Sequence, residues 1–313
     1  MTTADTGNAH SQWPALPPLA DWQDTFDTLH MWSQIIGKIR LQLSPPINHS
    51  WGCTLYVTTR GLTTSPIPSG TDTFAIDLDF VDHALRLTHS DGRARSFALE
   101  AMSVADFYRQ TMQALGDLGI PVHIYAQPVE VVEAIPFEQD ETHASYDADA
   151  VHRFWRALVL ADRVLTDFRA RFIGKASPSH FFWGAFDLAA TRFSGRAAPK
   201  HPGGIPHCPD RVMVEAYSHE LASAGFWPGA GLGEAAFYAY AYPSPSGFSQ
   251  CRVQPEAAFF HDTLGEFILP YEAVRTAPDP AQALLLFLQT TYEGAATLAD
   301  WDRSALERPP ATT

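Results

Sequence analysis

Apolar residues recur at steps of three and four from Trp22 onward. Trp22, Phe26, Leu29, Trp32, Ile36, Ile39 and Leu43 fall on one stripe, which predicts a helix with one buried face. Asp24, Asp27, Lys38 and Gln42 lie off the stripe, and Pro45-Pro46 ends it. The period then changes to two. Residues 53–59 alternate around Leu55 and Val57, and Phe74, Ile76, Leu78 and Phe80 share a second strand face. Residues 85–88 and a partner strand marked by Phe97 and Leu99 bracket a turn at Ser90-Asp91-Gly92. Ser103 to Asp106 opens another helix in the manner of a capping box, with Val104, Phe107, Leu115 and Leu118 as its stripe and Gly119 as its stop. Residues 122–125 predict a short strand returning to the sheet.

Residues 127–146 are acidic and interrupted by proline, the pattern of a linker. Beyond them Asp147 is placed to cap a helix with Val151, Phe154, Leu158, Leu165, Phe168 and Phe172 inside. A strand follows around Phe186 and Leu188. Residues 197–234 then read as a long insertion, before strands at 235–242, near 257–260 and at 266–269. Asp279-Pro280 supplies a capping residue followed by proline in the first turn of a last helix.

Each half therefore reads helix, antiparallel strands, helix, an α+β architecture. The letters hint at repetition. His49-Ser50-Trp51-Gly52 aligns with His180-Phe181-Phe182-Trp183-Gly184, and the shift 183 − 51 = 132 also carries Arg60 to Arg192. The expectation is two related helix–strands–helix units arranged as an internal pseudo-duplication. Chance likeness over a short aromatic patch is the alternative. The expected layout is a tail at 1–20, a first unit at 21–126, a linker at 127–146, a second unit at 147–300 carrying the insertion, and a tail at 301–313.

Composition narrows the function classes. The formal net charge of −14 lacks the basic footprint of nucleic-acid binding and disfavours anionic membrane surfaces. Three cysteines do not make a disulfide framework. No basic-then-apolar leader and no run of 18 apolar residues is visible, so the expectation is a cytoplasmic protein with a small-molecule partner, no nucleic acid and no membrane.

Polar chemistry gathers in and beside the insertion. His180, Asp187 and Arg192 are candidate catalytic residues. Glu215 and His219, four apart, would share one face of a helix and bind a divalent metal such as zinc, with His201 as a third ligand. Residues 212–217 read equally well as a strand, and loop histidines commonly just hydrogen-bond carbonyls. Trp183, Arg196, Trp227, Tyr238, Tyr240 and Tyr242 are candidate ligand-binding residues, because aromatic walls with a few charged groups suit small ligands. His207-Cys208 and Ser218-His219-Glu220 resemble nucleophile–base pairings in sequence only, since such sites assemble in space. Asp77 and Asp79 share a strand face, either as an acid pair or as part of a solvated surface.

Longer motifs carry a family resemblance. Trp22-Gln23-Asp24-Thr25 through Ile36-Gly37-Lys38-Ile39-Arg40-Leu41, Arg60-Gly61-Leu62-Thr63-Thr64-Ser65, Arg192-Phe193-Ser194-Gly195-Arg196 and Glu215-Ala216-Tyr217-Ser218-His219-Glu220 resemble the bacterial domain-of-unknown-function 5996 family. The resemblance spans about residues 13–307 and implies no activity or catalytic residue. Two expectations stand side by side: a small-molecule enzyme, such as a metal-dependent hydrolase, or a non-catalytic ligand-binding or scaffolding protein with an aromatic cleft.

Overall fold

The computed structural model describes residues 13–309, so residues 1–12 and 310–313 of the expected tails lie outside the described residues. Helix α1 (Gln23–Leu43) runs through the middle of the molecule and is buried on nearly every side from Thr25 to Arg40. Trp32 stacks on Phe107 at 4.6 Å, Trp22 meets Phe154 at 5.6 Å, and Phe26 meets Phe186 at 5.2 Å. One stripe was expected. A helix serving two neighbouring units is covered all round instead, so its polar groups need internal partners. Gln34 exchanges hydrogen bonds with the backbone of Val129, both at 2.9 Å. Lys38 is buried rather than solvated, and donates to the carbonyls of Tyr125 (3.1 Å) and Gln127 (2.6 Å).

That lysine also accounts for residues 122–125, which do not form the expected strand. The Tyr125 carbonyl is taken by a side chain instead of a neighbouring strand. The segment 127–146 lies against α1, with Phe137 fully buried.

The first sheet holds β1 (Tyr56–Val57), β2 (Gly61–Thr63), β3 (Ile67–Ser69), β4 (Asp72–Asp79), β5 (Ala84–His89) and β6 (Ala94–Ala98), ordered β1-β2-β4-β5-β6 with β3 beside β4. Helix α2 (Val104–Asp117) follows, capped by Ser103 Oγ on the Asp106 amide at 3.1 Å. Helix α3 (Ala148–Ala170) starts at Asp147, whose carboxylate accepts from the Ala150 amide at 3.0 Å.

The second sheet holds β7 (His180–Phe182), β8 (Asp187–Ala197), β9 (His219–Trp227), β10 (Ala236–Tyr242), β11 (Phe259–His261) and β12 (Glu266–Pro270), in the order β11-β12-β10-β9-β8-β7. A short helix, α4 (Asp210–Ala216), precedes β9. Helices α5 (Tyr271–Arg275), α6 (Pro280–Leu298) and α7 (Arg303–Leu306) complete the chain. Both sheets are antiparallel and flanked by helices, so the fold is α+β.

Two sequence expectations change here. The segment 197–234 is not an insertion, because it contains β9, which pairs along seven residues with β10 and along β8 on its other side. Residues 13–20 and 301–309 are not loose tails. Trp13 packs on Phe237 and Tyr271, the Tyr271 hydroxyl donates to the Pro14 carbonyl at 2.8 Å, and Trp301 is buried.

The two look-alike segments meet each other. Leu55 and Phe181 exchange backbone hydrogen bonds at 2.9 and 2.7 Å, joining the sheets edge to edge. Their conformations differ. Trp51 sits in a 3-10 turn (Asn48–Cys53), whereas Trp183 follows strand β7 and donates to the Cys53 carbonyl at 2.7 Å. Among the described residues no helix is long and apolar enough to cross a membrane.

Candidate functional site

Strand alternation gives the second sheet two unlike faces. Leu188, Ala190, Phe226 and Phe237 are buried on the α3 and α6 side, where Phe226 stacks on Phe154 at 6.0 Å. The other face forms the floor of a cavity of about 440 Å³. Strand β8 contributes Asp187, Ala189, Thr191 and Phe193, β9 contributes Leu221, Ser223 and Trp227, and β10 contributes Tyr238 and Tyr240. Register sets them in rows, Ala189–Gly225–Tyr238 and Thr191–Ser223–Tyr240. Gly225 is required in the first row, since a Cβ there would stand 2.5 Å from the Tyr238 hydroxyl.

Three distant segments form the walls. They are the 3-10 turn with His49 and Trp51, the loop at Glu130, and the stretch from Cys208 through α4 to Tyr217. Backbone bonds tie them together. The Glu130 amide donates to the Pro206 carbonyl at 2.8 Å, and His49 Nδ1 donates to the Ala216 carbonyl at 2.9 Å. The second bond fixes the His49 tautomer, leaving Nε2 to accept from Lys175 Nζ at 2.7 Å. Among the described residues, eight non-glycine residues hold positive φ, and five of them, His49, Ser50, Glu130, Phe186 and His207, at 52° to 62°, gather here. All five line the cavity or adjoin a residue that does, and strained backbone tends to gather at functional sites.

The cavity's polar groups are acids and phenols. The Tyr238 hydroxyl donates to Asp187 Oδ2, Tyr217 and Tyr240 share a hydroxyl contact at 2.9 Å, and Thr191 and Ser223 share another at 2.9 Å. Burial pushes Asp187 up to about 6 against the opposing pull of the Tyr238 bond. Burial, then the charge of Asp187, pushes Glu266 up to about 7 and raises Glu130 as well. Glu130 nevertheless stays exposed at the cavity wall. Burial holds Tyr217 at about 12 and Tyr238 and Tyr240 well above 10, so all three are protonated donors at neutral pH. Cys208 is raised by burial, which disfavours the thiolate.

Of the sequence candidates, Asp187, Trp227, Tyr238 and Tyr240 meet in this cavity. The others are elsewhere. Arg192 is five residues from Asp187 on one strand and so faces the opposite side. It lies over the Phe168 ring at 3.4 Å and the Tyr292 ring at 4.3 Å, donates to the Phe168 carbonyl, and is lowered by burial to about 9. His180 is fully buried behind Trp51 and Phe182, bonded to Thr54 at 3.1 Å, and lowered by burial to about 3. Trp183 is buried against α1. Arg196 is exposed, pairs with Glu220 at 2.7 Å and holds the Asp300 carbonyl at the end of α6. Tyr242 donates to the Pro199 carbonyl at 3.1 Å.

The metal set His201, Glu215 and His219 does not assemble. Helix α4 ends at Ala216, so Glu215 is on a helix and His219 on a strand, and the four-residue spacing no longer places them on one face. His201 stacks on Tyr217 at 4.6 Å and accepts from the Gly203 amide through Nδ1. Among the described residues, no three His, Cys, Asp or Glu side chains gather in a metal-holding arrangement. Ser218-His219-Glu220 is no relay either, because Glu220 turns to Ser194 and Arg196. Sequence reasoning missed His49, Trp51, Glu130, Tyr217 and Glu266 as cavity residues. His49 and Trp51 carried a signal as part of the look-alike segment, and Tyr217 as part of a family motif.

No curated protein and no solved structure matches the chain. A family model described as a family of unknown function, DUF5996, matches residues 13–308, nearly the whole length. The chain, with its acid- and phenol-floored cavity, belongs to that family.

Proposed function

We propose that the protein binds a small organic molecule in the cavity over the second sheet, anchored by the Asp187–Tyr238 pair. The observation that carries this reading is the buried carboxylate bonded to a phenol on the floor of a roughly 440 Å³ aromatic cavity. That volume lies in the ordinary range for small-ligand sites, and apolar walls with few convergent polar groups are their usual lining. A panel of aromatic amines, alcohols and acids, scanned by thermal shift, tests it. Compounds that raise the Tm of the wild type should leave Thr191→Trp, which fills the floor, unshifted. A panel without any shift, or shifts that persist in Thr191→Trp, would sink the reading.

An enzyme working by acid–base catalysis at Asp187 is the second reading. It is favoured by the carboxyl held at about 6, close to the working pH of a proton-transfer group. Turnover of a bound ligand by the wild type, abolished in Asp187→Asn with binding retained, would support it. The acidic chain and the three free cysteines support a cytoplasmic setting and a small-molecule partner in place of nucleic acid.

A further inference from the structure

Building on the small-ligand reading of this cavity, we propose that its occupant is an organic cation, an ammonium group on an apolar body. The ammonium sits at the Asp187 end among Glu130, Glu266 and the tyrosine rings.

Charge is sorted along the cavity. Asp187 begins β8, with Glu266 and Glu130 near enough to act on it electrostatically. Among the described residues none of these three acids forms an ion pair with lysine or arginine, although 13 ion pairs occur elsewhere, and the group facing Asp187 is a neutral phenol. A buried acid without a counter-charge is costly, and Asp187 is held so, with the half-buried Glu266 and the exposed Glu130 around the same space. The opposite end is already supplied with a cation. Lys175 Nζ lies 5.0 Å from the Phe193 ring centre and 5.5 Å from that of Trp51, beside His49. Phe193 is six residues along β8 from Asp187, a separation of roughly 20 Å at the rise of a strand. A ligand's positive group therefore meets attraction at one end only.

Ring faces stand beside the acids. Tyr238 stacks on Tyr240 at 6.1 Å, Tyr217 lies 6.3 Å from Tyr240, and Trp227 packs on Tyr238 at 5.6 Å. Aromatic faces next to carboxylates are the chemistry that selects organic ammonium groups, because the ring quadrupole and the acid charge act together. A bare metal ion fits poorly, since the acids do not gather in a metal-holding arrangement and the floor between them is Ala189 and tyrosine. An anionic ligand would place like charges together at the Asp187 end.

Calorimetry on the full chain at pH 8 with four probes tests the assignment: benzyltrimethylammonium, phenylethylammonium, phenylethanol and phenylacetate. The two cations should bind at least about tenfold more tightly than phenylethanol, with no detectable phenylacetate binding. Asp187→Asn and Glu266→Gln should weaken the cations, but each alters a buried group. Glu130→Gln is the cleaner variant, because the Glu130 side chain makes no hydrogen bond among the described residues. It should weaken both cations several-fold and leave phenylethanol unchanged. The assignment is overturned if phenylethanol or phenylacetate binds as tightly as the cations, if the cations do not bind, or if Glu130→Gln leaves them unaffected. Phenylethanol binding that is lost in Thr191→Trp would keep the cavity reading while the cation falls. Cation binding that survives Thr191→Trp would defeat both.

Discussion

The polar faces of the two sheets carry similar acids and treat them in opposite ways. On the first sheet Asp79 is covered but saturated. Arg60 and Arg86 donate to its Oδ2 at 2.7 and 3.0 Å, and the Val81 and Asp82 amides donate to Oδ1 at 3.0 and 2.9 Å. Burial alone would raise its pKa, yet these donors outweigh burial and hold the carboxyl well below the usual range. Asp77 stands opposite Arg86 on the same face. That face is an ion network, and nothing in it waits for a ligand. On the second sheet Asp187 meets a phenol and two further acids, and its pKa moves up. Acid charge that the fold neutralises serves structure. Acid charge it leaves unneutralised, beside a cavity, is available to a partner from outside.

The contrast breaks most sharply at Asp79. Asp79→Asn keeps one oxygen for the two amides but turns an NH2 toward the two arginines, and should lower stability by about 2 kcal/mol. Urea denaturation at pH 7 reads the loss, and an unchanged midpoint would mean that the network is ornamental.

Asp187→Asn should act in the other direction, and only as pH rises. An acid whose folded pKa is raised keeps its proton in the fold while the unfolded chain releases it. Stability is then lost as pH climbs from the ordinary value of 3.8 through about 6, and the full penalty stands above that. The amide carries no such penalty. Its stability relative to wild type should therefore improve by about 1 kcal/mol between pH 5 and pH 8. Glu266→Gln should follow the same course with its rise displaced toward pH 7. The groups facing this end of the cavity are Glu130, Glu266 and the phenols of Tyr217, Tyr238 and Tyr240, and none of the phenols ionises in that range. A pH-independent difference between variant and wild type would remove the claim that these acids are strained.

How far the sequence disclosed this contrast depends on how local each feature is. The caps at Ser103, Asp147 and Asp279 were legible because a capping residue and the amides it serves are three residues apart. Strand β9 was not. Its Ala222, Ser223, Ala224 and Gly225 lack the branched and aromatic residues that mark strands, because a tyrosine ring lies over the glycine. The opposition of Asp187 and Arg192 was readable in principle, since an odd spacing on one strand separates faces. The cavity itself was not readable. Its walls at His49, Glu130 and Tyr217 are far apart in the chain and are brought together by the Leu55–Phe181 junction and the loop contacts.

Arg192 offers a smaller test of the same separation of faces. Two of its nitrogens have no hydrogen-bond partner in the buried layer between α3 and α6. Replacing a poorly satisfied buried cation by an apolar side chain of similar length is often neutral or stabilising. Arg192→Met should therefore change stability by no more than about 1 kcal/mol, and should leave ligand binding in the cavity intact. Loss of binding without loss of fold would reinstate Arg192 as a site residue.

The smallest effect on the fold should come from Gly184, and it isolates one wall of the cavity. A Cβ at this position would stand 2.2 Å from Glu130 Oε1 and 3.6 Å from Val129. The first neighbour is the free end of a flexible side chain, so Gly184→Ala should displace the Glu130 carboxyl and cost about 0.5 kcal/mol or less. If Glu130 contributes to cation recognition, this displacement alone should weaken benzyltrimethylammonium and leave phenylethanol unchanged. A double-mutant cycle separates that route from any general disturbance. In a Glu130→Gln background the carboxylate is already gone, so adding Gly184→Ala should have little further effect. Equal weakening in both backgrounds would show that Gly184 acts through the cavity's shape, and the acid wall would lose its distinction from the saturated acids of the first sheet.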